Sequence, residues 1–281
     1  MTQDVDQLFG LGGKTALVTG ASRGIGRAIA LAYAEAGADV ALLARGVDNL
    51  EAVAEEVRQR GRRALVLACD VHEPDQVEDS VRRAAEELGP LDIVVNNAGG
   101  ITSAGPFLES SQEQWQREMR LNFDSVLQVC RIVGGAMTGR GRGSIINMSS
   151  IAGESGLPNF SPYAVAKAAV TALTHSLAAE WANSGVRVNA ITAGWLHTDL
   201  TDVLVTDEEL SGRLLDVVPM GRFGTPQDMV GLAVYLASDA SRFMTGAAVV
   251  IDGGVSSFYG GSAMLRPPGN ELVSTVSGSG L

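Results

Sequence analysis

The sequence predicts an α/β protein, a single domain built on a doubly wound parallel sheet of about seven strands with helices on both faces. Three observations carry this. Short β-rich runs recur at Thr15–Thr19, Val40–Ala44, Ala64–Cys69, Ile93–Val95, Ser144–Met148, Arg187–Ile191 and Ala247–Ile251. Most are continuously apolar instead of alternating, as strands covered by helices on both sides require. Helical patterns separate them, at about Gly24–Ala36, Val47–Arg60, Asp75–Leu88, Gln112–Met137, Pro162–Asn183 and Pro226–Ala237. Repeated strand, helix, strand units with right-handed crossovers place ligands beyond the carboxyl ends of the strands. Chemistry is therefore expected just after strands.

Composition narrows the function. The 281 residues carry 32 acidic and 21 basic side chains, a net charge of −11, which argues against a nucleic-acid or anionic-membrane partner, since both need a positive field. A 46% hydrophobic content is enough for a large core. The amino-terminal segment MTQDVDQLFG lacks the charged and apolar regions of a signal peptide, and no run is long and apolar enough to span a membrane. A cytoplasmic protein is expected. The only cysteines, Cys69 and Cys130, are not in a CxxC pair, and with three histidines they suggest buried thiols and no metal site.

The first strand opens into Thr19-Gly20-Ala21-Ser22-Arg23-Gly24-Ile25-Gly26 and then a helix. Glycines let backbone N–H groups approach a pyrophosphate, and the helix amino terminus supplies positive potential. The spacing is G-x-x-x-G-x-G, unlike the G-x-G-x-x-G fingerprint, but its place in the first βαβ unit favours a dinucleotide site of Rossmann-like type. The second strand ends at Ala44, where an NAD-binding protein of this architecture usually has an acid for the ribose 2′-hydroxyl. Arg45 follows, and Arg23 stands in the glycine turn; both could fork onto a 2′-phosphate. Asp48 reads as helix-dipole compensation. The expectation is NADP(H), with NAD(H) possible as a second cofactor.

Further along, Ser150 ends the fifth strand and Ser161-Pro162 reads as a helix start with serine as cap. Tyr163 and Lys167 then lie four residues apart on one helix face. An ammonium beside a phenol is expected to lower the phenol's pKa, fitting the tyrosine for general acid or base work. The long segment of about 195–224 is expected to be a lid or binding loop within a domain spanning 1–254, and residues 255–281, rich in Gly and Ser, an extended or disordered tail. Phe258 and Tyr259 could lead that tail onto a neighbouring subunit.

These residues carry a resemblance. With Thr19-Gly20-x-x-x-Gly24-x-Gly26, Asp70-Val71 after the third strand, Asn96-Asn97-Ala98-Gly99 after the fourth, then Ser150, Tyr163 and Lys167, the chain resembles the short-chain dehydrogenase/reductase family over about residues 13–255. The resemblance implies that Asp70 accepts a hydrogen bond from adenine and that Val71 and Asn97 lie at the cofactor. It implies that Asn96 ties the central strands together and that the backbone at Ala98 and Gly99 lies beside the cofactor ribose. It assigns Asn122 to the catalytic group through a water leading from Lys167. It also places Gly194, Leu196 and Thr198 at the nicotinamide carboxamide, although Ala193-Gly194 departs from the family's Pro-Gly. Lys167 would both tune Tyr163 and bond the nicotinamide ribose.

The expected reaction is hydride transfer between nicotinamide and a carbonyl carbon, interconverting a ketone and a secondary alcohol, with Ser150 polarising the carbonyl and Tyr163 moving the proton. A 3-oxoacyl thioester reductase shares every motif. Asp199, Asp202, Asp207, Glu208 and Glu209 in the lid argue mildly against an acidic carrier protein as partner. A non-catalytic dinucleotide sensor would not need Ser150, Tyr163 and Lys167 together. Leu157, Phe160, Trp195 and Leu200, with His197, are candidate pocket walls. By resemblance the protein is expected to be a homo-oligomer, a tetramer.

Overall fold

In a computed structural model, which describes residues 4–199 and 201–257, seven strands form one all-parallel sheet. The strands are β1 (Thr15–Thr19), β2 (Asp39–Ala44), β3 (Ala64–Ala68), β4 (Ile93–Asn96), β5 (Gly143–Ser150), β6 (Val186–Ala193) and β7 (Ala248–Ile251), in the order 3-2-1-4-5-6-7. The chain winds outward from β1 to β3 and returns to pair β4 with β1, with Leu17 opposite Val94. The crevice at that reversal is where a doubly wound sheet takes its ligand.

Alternation within each strand feeds two cores. Ala16, Val18, Val40 and Leu42 point to one face, where they meet α2 (Gly24–Glu35), α3 (Val47–Gln59) and α10 (Pro226–Ala237) through Ile29, Tyr33, Val53 and Met229. Leu17, Ala41, Leu43 and Val94 point to the other, against α4 (Pro74–Leu88), α6 (Ser125–Arg140) and α7 (Ser161–Trp181). Both faces are dry, which explains the continuous apolar runs. Among the described residues no helix is long and apolar enough to cross a membrane.

Four local differences from the sequence reading have physical causes. The stretch read as one helix over Gln112–Met137 is α5 (Gln112–Met119), a π turn at Arg120–Asp124, and then α6. In that wide turn the Ser125 N–H bonds the Arg120 carbonyl, and the Ser125 hydroxyl takes the Leu121 carbonyl so released, at 2.7 Å. Helix α7 starts at Ser161 itself, preceded by Phe160 without a side-chain cap, so Ser161 lies inside the first turn beside Pro162. The lid holds two short helices, α8 (Asp202–Thr206) and α9 (Glu208–Leu215), and its ends are pinned together where Leu196 bridges Gly224. Last, a short helix, α1 (Val5–Phe9), precedes β1, ahead of the first helix expected from the sequence.

Past β7 the chain does not leave the domain at Val255. The Asp252 carboxylate accepts the N–H groups of Gly254 and Ser256 at 2.8 and 2.6 Å and holds Val255 in a turn. Leu200, Phe258, Tyr259 and the rest of the tail lie outside the described residues.

Candidate active site

The glycine-rich turn after β1 is built by close approach. Gly20 and Gly24 adopt left-handed φ of 64° and 55°. A Cβ on Gly26 would stand 2.3 Å from the Gly20 carbonyl oxygen and 2.5 Å from Asn97 Nδ2, so the helix can start this close to the strand only with glycine there. Thr19 Oγ1 accepts the N–H groups of both Asn97 and Ala98 at 2.9 Å, and Asn97 Nδ2 donates to the Thr19 carbonyl at 2.9 Å. The ends of β1 and β4 are thereby locked side by side. Arg23, at the cap position of α2, offers no capping bond, which leaves the first N–H groups of the helix for a ligand.

A groove of about 670 Å³ runs from this turn across the carboxyl ends of β2 and β3. Its floor is the turn itself, with Gly20, Ser22, Arg23, Gly24 and Ile25 on one side and Asn97, Ala98 and Gly99 on the other. Arg45, Asp70 and Val71 line the far end, and Thr198 and Asp199 reach in from the lid. Gly26 lies beneath, as the packing partner described. Partial burial pushes the Asp70 carboxyl up, but the backbone and ring of His72 outweigh it and hold it below the usual carboxylate range; the ring nitrogen stands 2.7 Å away. Arg23 faces Asp199 at 3.9 Å with both side chains exposed, a weak contact. These residues fit a dinucleotide: a glycine cradle, uncapped helix N–H groups and an acid at the distal end.

The groove opens inward to a second cavity of about 300 Å³, lined by Ser150, Tyr163 and Lys167 together with Gly194, Leu196 and Thr198. Strand β5 delivers Ser150 and helix α7 delivers the other two. Lys167 is buried, its Nζ donating to the Met148 carbonyl at 2.9 Å and lying 5.7 Å from the centre of the Tyr163 ring. Burial pushes this lysine down to about 8, opposed by the Glu118 carboxylate. For Tyr163 the expectation of a lowered pKa is not met. Burial pushes the phenol up, its hydrogen bond with Ser150 pulls it back, and the Glu118 charge adds to the rise. The physical reason is that desolvating a phenolate outweighs an ammonium that is itself desolvated and turned to a carbonyl. Tyr163 thus holds its proton at neutral pH, the form that can donate to a carbonyl oxygen.

Asn122 lines neither cavity. The π turn swings it inward, fully buried, where Oδ1 accepts the Gly100 N–H at 3.0 Å and Nδ2 donates to the Gly100 carbonyl at 2.8 Å. It braces the backbone behind Gly99, where a Cβ would meet both Asn122 Oδ1 at 2.8 Å and Lys167 Nζ at 3.3 Å. Asn96 performs the expected tie, donating to Asn147 Oδ1 at 2.8 Å across β4 and β5. Gly194 is required because a Cβ there would stand 2.5 Å from the Asp252 Cα. The Thr198 N–H bonds Thr201 Oγ1 at 2.9 Å.

Sequence reasoning missed Glu118. This fully buried carboxylate accepts the Thr102 N–H on one oxygen and Asn122 Nδ2 on the other, each at 3.0 Å, and Thr102 Oγ1 also bonds it. The signal was its i,i+4 spacing to Asn122, hidden in a stretch that otherwise reads as a solvated helix. Of the candidate walls, Leu157 and Trp195 line the inner cavity, whereas Phe160 does not and His197 pairs with Asp202 at 3.0 Å on the outer surface.

Comparison with known proteins agrees with this geometry. Residues 20–256 match a family model described as enoyl-(acyl carrier protein) reductase. A gluconate 5-dehydrogenase of Gluconobacter oxydans is 39% identical, covering 89% of this chain and 97% of that one. A 3-oxoacyl-[acyl-carrier-protein] reductase of Staphylococcus epidermidis is 36% identical over 86% of this chain and 98% of its own. Among solved structures, a gluconate 5-dehydrogenase from Burkholderia cenocepacia in complex with NADP and tartrate superposes with a TM-score of 0.87 at 36% identity, covering 91% of this chain and 100% of that one. A short-chain type dehydrogenase/reductase from Mycobacterium marinum gives 0.85 at 42% identity, over 90% and 99% of the two chains. The chain belongs to the short-chain dehydrogenase/reductase family and is an NAD(P)-dependent oxidoreductase acting on CH–OH groups.

Proposed function

We propose that the protein is an NADP(H)-preferring oxidoreductase that interconverts a ketone and a secondary alcohol, with Ser150, Tyr163 and Lys167 as its catalytic residues and Asn122 as their support. The observation that carries this reading is the convergence of those three side chains in one cavity that opens from the dinucleotide groove. Bound nicotinamide would supply or accept the hydride. The Ser150 hydroxyl and the Tyr163 phenol can both donate to one carbonyl oxygen, and in reduction Tyr163 gives up the proton it holds at neutral pH. Lys167, charged over the acid and neutral range below about 8, stabilises the phenolate left behind.

The cofactor preference rests on the end of β2. Ala44 places no carboxylate where a 2′-phosphate would sit, while Arg45 and Arg23 border the same groove. Three related structures contain NADP by description, including those from Beutenbergia cavernae and Agrobacterium tumefaciens. The test is kcat/KM for both cofactors in the parent and in Ala44→Asp/Arg45→Ala. The parent should favour NADP(H) and the double variant should move toward NAD(H). A parent that prefers NAD(H) overturns the assignment of both arginines.

Thioester reduction is the second reading, favoured by the 3-oxoacyl-[acyl-carrier-protein] reductases among the relatives. Against it stands the acidic lid, where Asp207, Glu208 and Glu209 would face an acidic carrier. The assembly proposed is a homotetramer; a light-scattering mass near one chain, 29.2 kDa, would refute it.

A further inference from the structure

The inner cavity is informative beyond the three catalytic side chains. Its apolar walls come from the segment after β5 with Ile151, Ala152 and Leu157, the loop after β4 with Ile101, the start of the lid with Trp195, and the turn after β7 with Val255. Among the described residues that line it, the one cation is Lys167, which is buried and already donates to the Met148 carbonyl. The Ser150 and Tyr163 hydroxyls are committed to the reacting oxygen. Most other polar side chains of the lining are bonded within the protein: Asn97 Nδ2 donates to the Thr19 carbonyl, Ser149 Oγ to the Lys167 carbonyl, Ser155 Oγ to the Ile151 carbonyl and Thr201 Oγ1 to the Leu196 carbonyl, with Thr198 Oγ1 3.2 Å from Thr201 Oγ1. Both arginines of the lid are paired with carboxylates, Arg213 with Glu209 at 2.6 Å and Arg222 with Asp228 at 2.8 Å, while Asp199 and Asp202 lie at its near end.

From these walls we infer that the substrate is an uncharged, largely apolar ketone or secondary alcohol, and not a sugar acid such as those for which several relatives are named. The inference rests on the proposed ketone/alcohol reading and deepens it. A carboxylate entering this cavity sheds water and meets no free cation among the described residues, and the extra hydroxyls of an aldonate would compete for side chains mostly bonded within the protein. Apolar carbon, by contrast, gains from contact with Trp195, Leu157 and Ile151. Overall identity of 36–39% to gluconate dehydrogenases does not decide the matter, because catalytic residues belong to the framework and these walls to loops.

A matched pair tests this with the holoenzyme. NADPH oxidation is followed with methyl 4-oxo-4-phenylbutanoate, with its free acid, and with 5-ketogluconate, while NADPH binding is measured by fluorescence. The neutral ester should exceed both anions in kcat/KM by at least about tenfold, since one unpaired buried charge suffices for that ratio. A smaller ratio, or preference for either anion, overturns the substrate class while leaving NADPH-dependent ketone reduction intact. NADPH binding without turnover of any of the three counts against both the substrate class and the reading beneath it.

Discussion

Replacing Lys167 with Met should abolish turnover and yet make the protein without cofactor more stable at neutral pH. The lysine is 5% exposed, and burial pushes its pKa from 10.5 down to about 8. Holding it charged in the folded state at pH 7 therefore costs about 3 kcal/mol relative to the unfolded chain. Methionine has similar length and no charge to desolvate. It forfeits the hydrogen bond to the Met148 carbonyl, worth about 1 kcal/mol, which leaves a net gain of roughly 2 kcal/mol. For a chain of this size that raises the melting temperature by about 3 °C. The pH dependence has a definite sign. Between pH 8 and 10.5 the unfolded chain binds a proton that the folded one has released, so the parent gains stability with rising pH and the variant does not. The advantage of Lys167→Met should be complete below pH 8 and gone by about pH 10.5. Urea unfolding of both proteins at pH 7 and pH 10 measures it. A variant less stable than the parent at pH 7, or an advantage that does not shrink with pH, would show that the buried ammonium is not under strain.

Substitutions at three further positions probe the same framework. Tyr163→Phe should keep cofactor affinity and lose about 10²–10⁴-fold in kcat, because it removes the proton and little else; near-normal turnover would sink the mechanism. Gly26→Ala sets a Cβ against the Gly20 carbonyl, which is backbone and cannot swing aside, so NADPH binding by fluorescence should weaken at least tenfold (about 1.4 kcal/mol). Unchanged binding would mean that the turn yields. Glu118→Gln removes the charge that opposes the burial of Lys167, so the alkaline limb of kcat/KM for ketone reduction should move to lower pH, while Glu118→Asp restores it in part. An unmoved limb would leave Glu118 a packing residue.

The parts of this molecule that were legible in the sequence are those where chemistry forces residue type at fixed spacing. Strands covered on both faces must be continuously apolar, so β1, β2 and β4 read directly from their runs. The phosphate turn needs glycine where helix and strand nearly touch, and Gly20 and Gly26 satisfy geometric demands that few residues could. Tyr163 and Lys167 share a face because a helix repeats near four residues. The sequence reading failed where environment, and not spacing, decides. Burial reversed the expected shift at Tyr163, since a neighbouring ammonium lowers a phenol's pKa only if desolvation of the phenolate is the smaller effect.

Glu118 illustrates why the remainder was hidden. In Gln112-Glu113-Gln114-Trp115-Gln116-Arg117-Glu118 it is one of several polar residues on what reads as an exposed helix. Its neighbour Glu113 does remain outside, paired with Arg117 at 3.2 Å. What separates the two glutamates is the π turn that begins two residues after Glu118, which widens the helix enough to bring Asn122 inward and gives the buried carboxylate an amide donor. That turn has no compositional mark; it is held by the Ser125 hydroxyl on the Leu121 carbonyl and by the Gly100 backbone on Asn122. An inserted residue of register thus converts an ordinary surface helix into the wall behind Lys167, and the charge that opposes the lysine's desolvation arrives through backbone geometry that no residue-type pattern records.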